Sequence, residues 1–155
     1  MGITIVRADA EDAEEILALQ KMAYASEGRA YNDPTLPPLT QTLEEMKEDC
    51  ERQLTLKAVE GGEIVGSVRA YLKEGTCFIG RLIVSPAHQD SGIGSRLMEE
   101  IEARFPEAER FRLFTGHRSF KALHVYEKKG YSVFRTEFVH DELTLFFLEK
   151  RPDRR

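Results

Sequence analysis

A mixed α/β domain built on a sheet of about seven strands is the fold class this sequence predicts. Three observations carry it. Strand and helix signals alternate in the order β-α-α-β-β-β-α-β-α-β-β over 155 residues, one strand is apolar on both alternating faces, and a glycine loop joins it to an amphipathic helix. A strand apolar on both faces belongs in the middle of a sheet. A chain of this length makes one domain, 1–155, with a genuine core.

Each element has its own warrant. ITIVRA at 3–8 is a short strand. Asp9 stands as a cap, and Ala13, Ile16, Leu17, Leu19 and Ala23 recur at helical spacing to about Ala25. Residues 26–39, SEGRAYNDPTLPPL, are too rich in proline, glycine and polar side chains for regular structure, and so long a connector is commonly functional. Thr42 with Glu45 forms a capping box for a helix to about Cys50. Strands follow at about 53–60, 63–73 and 76–84, the first two joined through Gly61-Gly62. After Pro86 and a glycine loop, Ile93, Leu97, Met98, Ile101 and Phe105 line one side of a helix. RFRLFT at 110–115 is a strand, and SFKALHVYEKK at 119–129 a helix with Gly130 at its C-terminus. YSVFRTEFV and ELTLFFLEK close the chain as an antiparallel hairpin.

Composition narrows the function classes. Acidic residues outnumber basic ones, 27 to 22, which argues against a nucleic-acid partner. The basic ending KRPDRR reads as a solvated tail. No stretch approaches the ~20 apolar residues of a membrane span. Cys50 and Cys77 lack metal spacing and a secretory context, so a reducing cytoplasm is expected. Met1-Gly2 opens like a myristoylation signal, but Val6 stands where Ser or Thr is required.

The glycine loop is the chemical signal. A central strand running into Gly-Ile-Gly and a helix N-terminus leaves first-turn amides, and the positive end of the helix dipole, free for an anion. Ser91 and Ser95 add hydroxyl donors. A phosphate loop of the Gly-Lys-Ser/Thr type fails, because Ser95-Arg96 follows Gly94. A dinucleotide fingerprint fails too, because its third glycine is Leu97.

QDSGIG at 89–94 resembles the Gln/Arg-x-x-Gly-x-Gly/Ala signature of the GNAT superfamily of N-acetyltransferases. LIVSP before it is similar to the ending of that family's fourth strand, and ALHVYEKKGY at 122–131 to its later helix and turn. The resemblance spans nearly the whole chain. It implies a GNAT fold: a mixed, twisted central sheet of about seven strands with helices on both faces, and acetyl-CoA entering a V between strands four and five. It also implies that amides from Gln89, Asp90, Ser91, Gly92, Ile93, Gly94 and Ser95 hold the coenzyme pyrophosphate. Strand four at Leu82, Ile83 and Val84 would pair with the pantetheine arm.

The same resemblance implies direct acetyl transfer to a primary amine in a ternary complex, with a strand-four amide receiving the oxyanion. Tyr126 matches the family's tyrosine that serves the leaving thiolate. A phenol near 10 and a thiol near 8.5 make full proton transfer uphill by about 2 kcal/mol, so a hydrogen bond to the departing sulfur is the expected role. Many relatives carry a carboxylate where this chain has Gly80. Glu27 and Asp33 in the long connector, and His117 after strand five, are the candidate bases. Ser119 is a helix N-cap or a coenzyme contact, and Tyr24 and Tyr31 line the acceptor side or pack the core. His88 flanks the loop, while His124 and His140 have no partners at metal spacing, so no metal is expected. Acceptors expected are small molecules or peptides. The alternative is a catalytically weak acyl-CoA sensor, motivated by Gly80. The closing LTLFFL offers an edge that could pair in a homodimer.

Overall fold

The computed structural model describes residues 2–152. The elements are β1 (Thr4–Arg7), α1 (Ala13–Ala30), α2 (Pro37–Thr40), α3 (Leu43–Arg52), β2 (Leu54–Glu60), β3 (Glu63–Lys73), β4 (Thr76–Val84), α4 (Ile93–Ala103), β5 (Arg110–Gly116), α5 (Phe120–Lys128), β6 (Ser132–His140) and β7 (Leu143–Lys150). The strands form one sheet in the order β1-β2-β3-β4-β5-β7-β6, with β4 at its centre. Every neighbouring pair is antiparallel except β4 and β5.

Helices cover both faces. On one, Ala13, Ile16, Leu17 and Leu19 of α1 and Met46 and Cys50 of α3 pack with Ile64 and Ile83 of the sheet. On the other, Ile93, Leu97, Met98 and Ile101 of α4 and Tyr126 of α5 pack with Val65, Val68, Ile79 and Leu113. Each fully buried aliphatic side chain of this kind contributes about 1.5–3 kcal/mol.

Local signals act where the sequence puts them. The Thr42–Glu45 capping box closes in both directions, at 3.2 and 2.9 Å. Gly61 and Gly62 hold φ of 58° and 81°, the double left-handed turn that a two-residue hairpin demands.

Several expectations are corrected. α1 does not stop near Ala25 but runs on to Ala30, and Pro37-Pro38 open a further helical turn, leaving an irregular connector only at 31–36. Proline at the first helical positions loses no needed donor. Gly28 is a packing point rather than a breaker, since a Cβ there would lie 2.8 Å from Leu39 Cδ1. Asp9 caps a short 3-10 turn at Ala10–Asp12 that leads into α1. The LTLFFL strand offers no edge, because β7 is paired on both sides; the edge is β6. Lys150 of the basic ending belongs to β7 and holds Glu102 at 2.8 Å, and residues 153–155 lie outside the described residues.

Candidate active site

The single parallel join creates the site. β4 and β5 are in register only at Thr76, Cys77 and Phe78 against Arg110, Phe111 and Arg112. Beyond Phe78 they part, so the β5-facing edge of β4 from Ile79 to Val84 has no strand partner there. On its other edge β4 carries a bulge: Gly80 pairs with Arg69 and Ile83 with Ser67, leaving two β4 residues opposite one on β3. Arg81 sits in that bulge with φ of 52°, a left-handed conformation unusual for arginine. The parting opens a cleft of about 1230 Å³ whose walls include Leu82, Ile83, Val84 and Tyr126.

At one end stands the glycine loop. Gly92 is the N-cap of α4 at φ of 85° and ψ of 2°, and no side chain caps the helix. Its first-turn amides are therefore left for solvent or an anion. Gly92 has a backbone reason to be glycine; Gly94 does not, since a Cβ there would make only ordinary contacts with Val84 Cγ2 and Leu82 Cδ2 at 3.7 and 3.9 Å. Gln89 lines the cleft, whereas Asp90 to Ser95 do not. The Ser91 hydroxyl is not free for a phosphate, because it donates to the His88 carbonyl. His88 itself faces away, with Nε2 2.8 Å from Glu60 Oε1. Lys121, at the start of α5, supplies a cation that the sequence reading missed: its Nζ lies 3.4 Å from Asp90 Oδ2 and 3.5 Å from Gln89 Oε1.

Tyr126 lies deep in the cleft, 7% exposed. Its hydroxyl makes no hydrogen bond to any described residue. Burial, followed by the charges of Tyr24 and Glu27, pushes its pKa well above the usual phenol value, so it stays protonated. Tyr24 is raised by burial as well, with Arg81 acting against the shift.

A hydrogen-bond chain lines the opposite wall. The Arg118 amide donates to Tyr31 Oη at 2.8 Å, Tyr31 Oη is 2.8 Å from Ser119 Oγ, and Ser119 Oγ donates to Glu27 Oε1 at 2.5 Å. Since the carboxylate only accepts, the proton order runs from Tyr31 to Ser119 to Glu27. Ser119 thus corrects the N-cap expectation: it occupies that position without a cap bond, its hydroxyl being spent on α1. Tyr31 is 2% exposed, packed over Gly116 with its hydroxyl consumed, so it braces the wall more than it presents a polar group.

Two candidate bases are otherwise engaged. His117 does not line the cleft; its Nδ1 accepts from the Thr144 amide at 3.0 Å and its ring lies 5.8 Å from that of Tyr31. Asp33 accepts from Thr35 N and Oγ1 at 2.9 and 2.6 Å, and its Oδ2 is 3.0 Å from His140 Nε2. Those Thr35 and His140 bonds hold the Asp33 carboxyl below its usual pKa. Glu27 keeps one oxygen without a hydrogen bond to any described residue. At Gly80 a Cβ would meet nothing within 4 Å, so the cleft is open there.

The cleft wall near α2 and α3 is buttressed by polar contacts. Gln20, fully buried, donates to Pro38 O at 3.0 Å and Gln41 Oε1 at 2.9 Å; Gln41 donates to Asp49 Oδ2 at 2.5 Å; Arg69 Nη1 meets the same oxygen at 2.9 Å. Among the described residues no group of three His, Cys, Asp or Glu side chains forms a metal site, and no helix is long and apolar enough to cross a membrane.

A model of the acetyltransferase (GNAT) family matches residues 14–131. The chain belongs to the GNAT acetyltransferase family. Among solved structures, the fold of this GNAT chain is similar to PaiA N-acetyltransferase from Thermoplasma acidophilum in complex with coenzyme A, at TM-score 0.81 and 20% identity over 98% of this chain and 100% of that one. It is also similar to the ribosomal-protein-S18-alanine N-acetyltransferase of Escherichia coli, at TM-score 0.80 and 14% identity over 97% and 94%. A curated relative, the UPF0157 protein YqkA of Bacillus subtilis, is 24% identical over 147 residues; these are 95% of this GNAT chain but 42% of YqkA's length.

Proposed function

We propose that this GNAT domain transfers acetyl from acetyl-CoA directly to a primary amine within a ternary complex. The observation that carries the reading is the parting of β4 from β5, with an uncapped α4 N-terminus at one end and the unpaired Tyr126 hydroxyl at its depth. The solved relative bound to coenzyme A lends the same reading its cofactor.

In this scheme the amides around Gly92, Ile93, Gly94 and Ser95, with Lys121 beside them, neutralise the pyrophosphate. The unpaired β4 edge at Leu82–Val84 takes the pantetheine arm as an added strand. Acetyl-CoA supplies a thioester carbonyl to the parting. The neutral amine attacks that carbon, an N–C bond forms, and the oxyanion is held by a bulge amide at Leu82 or Ile83. Collapse breaks the C–S bond. Tyr126 donates a hydrogen bond to sulfur as charge develops, and the proton lost by the amine ends on the thiol by way of solvent.

Glu27 is the carboxylate left to receive the amine proton, oriented by Ser119. A lysine-like amine near 10.4 costs about 4–5 kcal/mol to deprotonate at pH 7. A base that is only a carboxylate therefore suits a less basic amine. The reading as a sensor with little turnover is favoured by one observation, the missing side chain at Gly80.

Thermal unfolding with acetyl-CoA, CoA, ATP and NAD added separately tests the proposal. A ligand at about 100 times its Kd adds roughly 2.7 kcal/mol, a rise of about 5–10 °C. A shift with acetyl-CoA and CoA alone, followed by thiol release with an amine, is expected. A coenzyme shift without release from any amine selects the sensor, and no shift overturns both.

A further inference from the structure

The acceptor half of the cleft holds a guanidinium, that of Arg81, with no direct hydrogen-bond or ion-pair partner among the described residues. Arg69 and Gly80 are register partners and so share a face of the sheet. Arg81, turned by the bulge, reaches the same side: it lines both the main cleft and a smaller cavity with Glu45, Glu48 and Asp49 of α3. Two guanidinium groups thus flank a glycine that leaves the space between them open.

The carboxylates nearby make their direct contacts elsewhere, and Asp49 acts on Arg81 only through space. Asp49 takes Arg69 and Gln41, Glu45 accepts the Thr42 amide at 2.9 Å, Glu48 lies 4.0 Å from Arg52, and Glu27 takes Ser119. Arg81 makes no hydrogen bond or ion pair with any described residue, and its Nη1 is buried without a partner. A guanidinium cannot discharge itself by losing a proton. Its planar fork matches the two oxygens of a carboxylate side by side.

We infer that Arg81, with Arg69 behind it, binds a carboxylate carried by the acceptor, making the substrate class small amino-carboxylates such as amino acids. The inference rests on the acetyl-transfer reading of the same cleft. It also answers two difficulties of that reading. A polyamine or a lysine-rich peptide would bring a further cation against Arg69 and Arg81, at an electrostatic cost. And cations beside the bound amine disfavour its ammonium form, which lowers the pKa of the attacking group without a carboxylate at position 80.

The test is calorimetric titration of the CoA-loaded protein with a panel of α- and ω-amino acids, each beside its carboxamide and its decarboxylated amine. At least one amino acid is expected to bind tenfold or more tighter than both of its counterparts, since a lost charge partner in a desolvated site costs at least that. Arg81→Gln should erase the preference with CoA affinity unchanged, and Arg81→Lys, which keeps charge without the fork, should retain part of it. Counterparts binding as well as the acids, no binding by any acid, or a preference surviving Arg81→Gln would each overturn the inference. If CoA itself does not bind, the acetyl-transfer reading fails. The same titration on the free protein then decides the anion site alone, by the same preference and its loss in Arg81→Gln.

Discussion

Ser119 Oγ donates to Glu27 Oε1 at 2.5 Å, tying α5 to α1 across 92 positions of chain. The bond ends in a charged acceptor, and such bonds contribute about 1.5–3 kcal/mol. Ser119→Ala is expected to lower Tm by about 4–10 °C in a thermal scan. Glu27→Gln keeps an acceptor for Ser119 while removing the charge. It should leave Tm nearly unchanged and cut kcat/KM about a hundredfold. An unaltered kcat/KM would strike Glu27 from the mechanism.

Tyr126→Phe removes the cleft hydroxyl and little else. We expect kcat to fall well beyond tenfold with CoA affinity preserved. Because burial holds the Tyr126 phenol above its ordinary pKa, the wild-type rate should show no alkaline limb from this group at or below pH 10. A limb near pH 9 that vanishes in the variant would contradict that protonated role.

Gly92 has two reasons to be glycine, and two variants separate them. Gly92→Ala strains a φ of 85° at a cost of about 1–2 kcal/mol, while Gly92→Asp adds a negative charge at the proposed pyrophosphate site. CoA titration should find a modest loss for Ala and no measurable binding for Asp. Equal affinities in the two would move the phosphate elsewhere.

Gly116→Ala should be among the most damaging single methyl additions. Its Cβ would fall 2.2 Å from the Tyr31 hydroxyl, which is pinned by Ser119 and Arg118. Overpacking of this kind costs about 1–3 kcal/mol. Pairing it with Tyr31→Ala, which also removes the ring carbon that would lie 2.5 Å away, should recover part of the loss in denaturant unfolding, and equal loss in both backgrounds would exclude the clash.

Stability should fall on the alkaline side. Burial pushes the Cys77 thiol from 9.0 up to about 12, so its contribution is complete below pH 9 and is lost as pH climbs toward 12. Three units correspond to about 4 kcal/mol at the end of that window. Cys77→Ala is expected to show a shallower decline than wild type between pH 9 and 11.5 in guanidinium unfolding. Parallel declines would remove Cys77 as the cause.

Much of this was legible in the sequence because the signals were local. Thr42 and Glu45, Gly61-Gly62 and the α4 stripe from Ile93 to Ile101 each act within a few residues, and each appears where it was read. The connector was misread because Pro38 and Gly28 sit in helices whose contacts, with Gln20 and Leu39 respectively, come from packing. Ser119 looked like a cap because its partners, Tyr31 and Glu27, lie 88 and 92 positions away. Arg81 gave no signal at all. A bulge is a mismatch between two strands, and neither strand's pattern records it.

The three-pair join between β4 and β5 has a consequence for how the molecule opens. Strands β1 to β4 are laced by antiparallel neighbours, and β5, β7 and β6 form a second laced block, while between the blocks the sheet hydrogen-bonds only around Thr76–Phe78 and Arg110–Arg112. So short a seam is where cooperative units separate. Amide exchange should therefore release the amides bonded across that seam ahead of those bonded within the blocks on either side. Any molecule lodged across the seam acts as a rivet, merging two unfolding units into one.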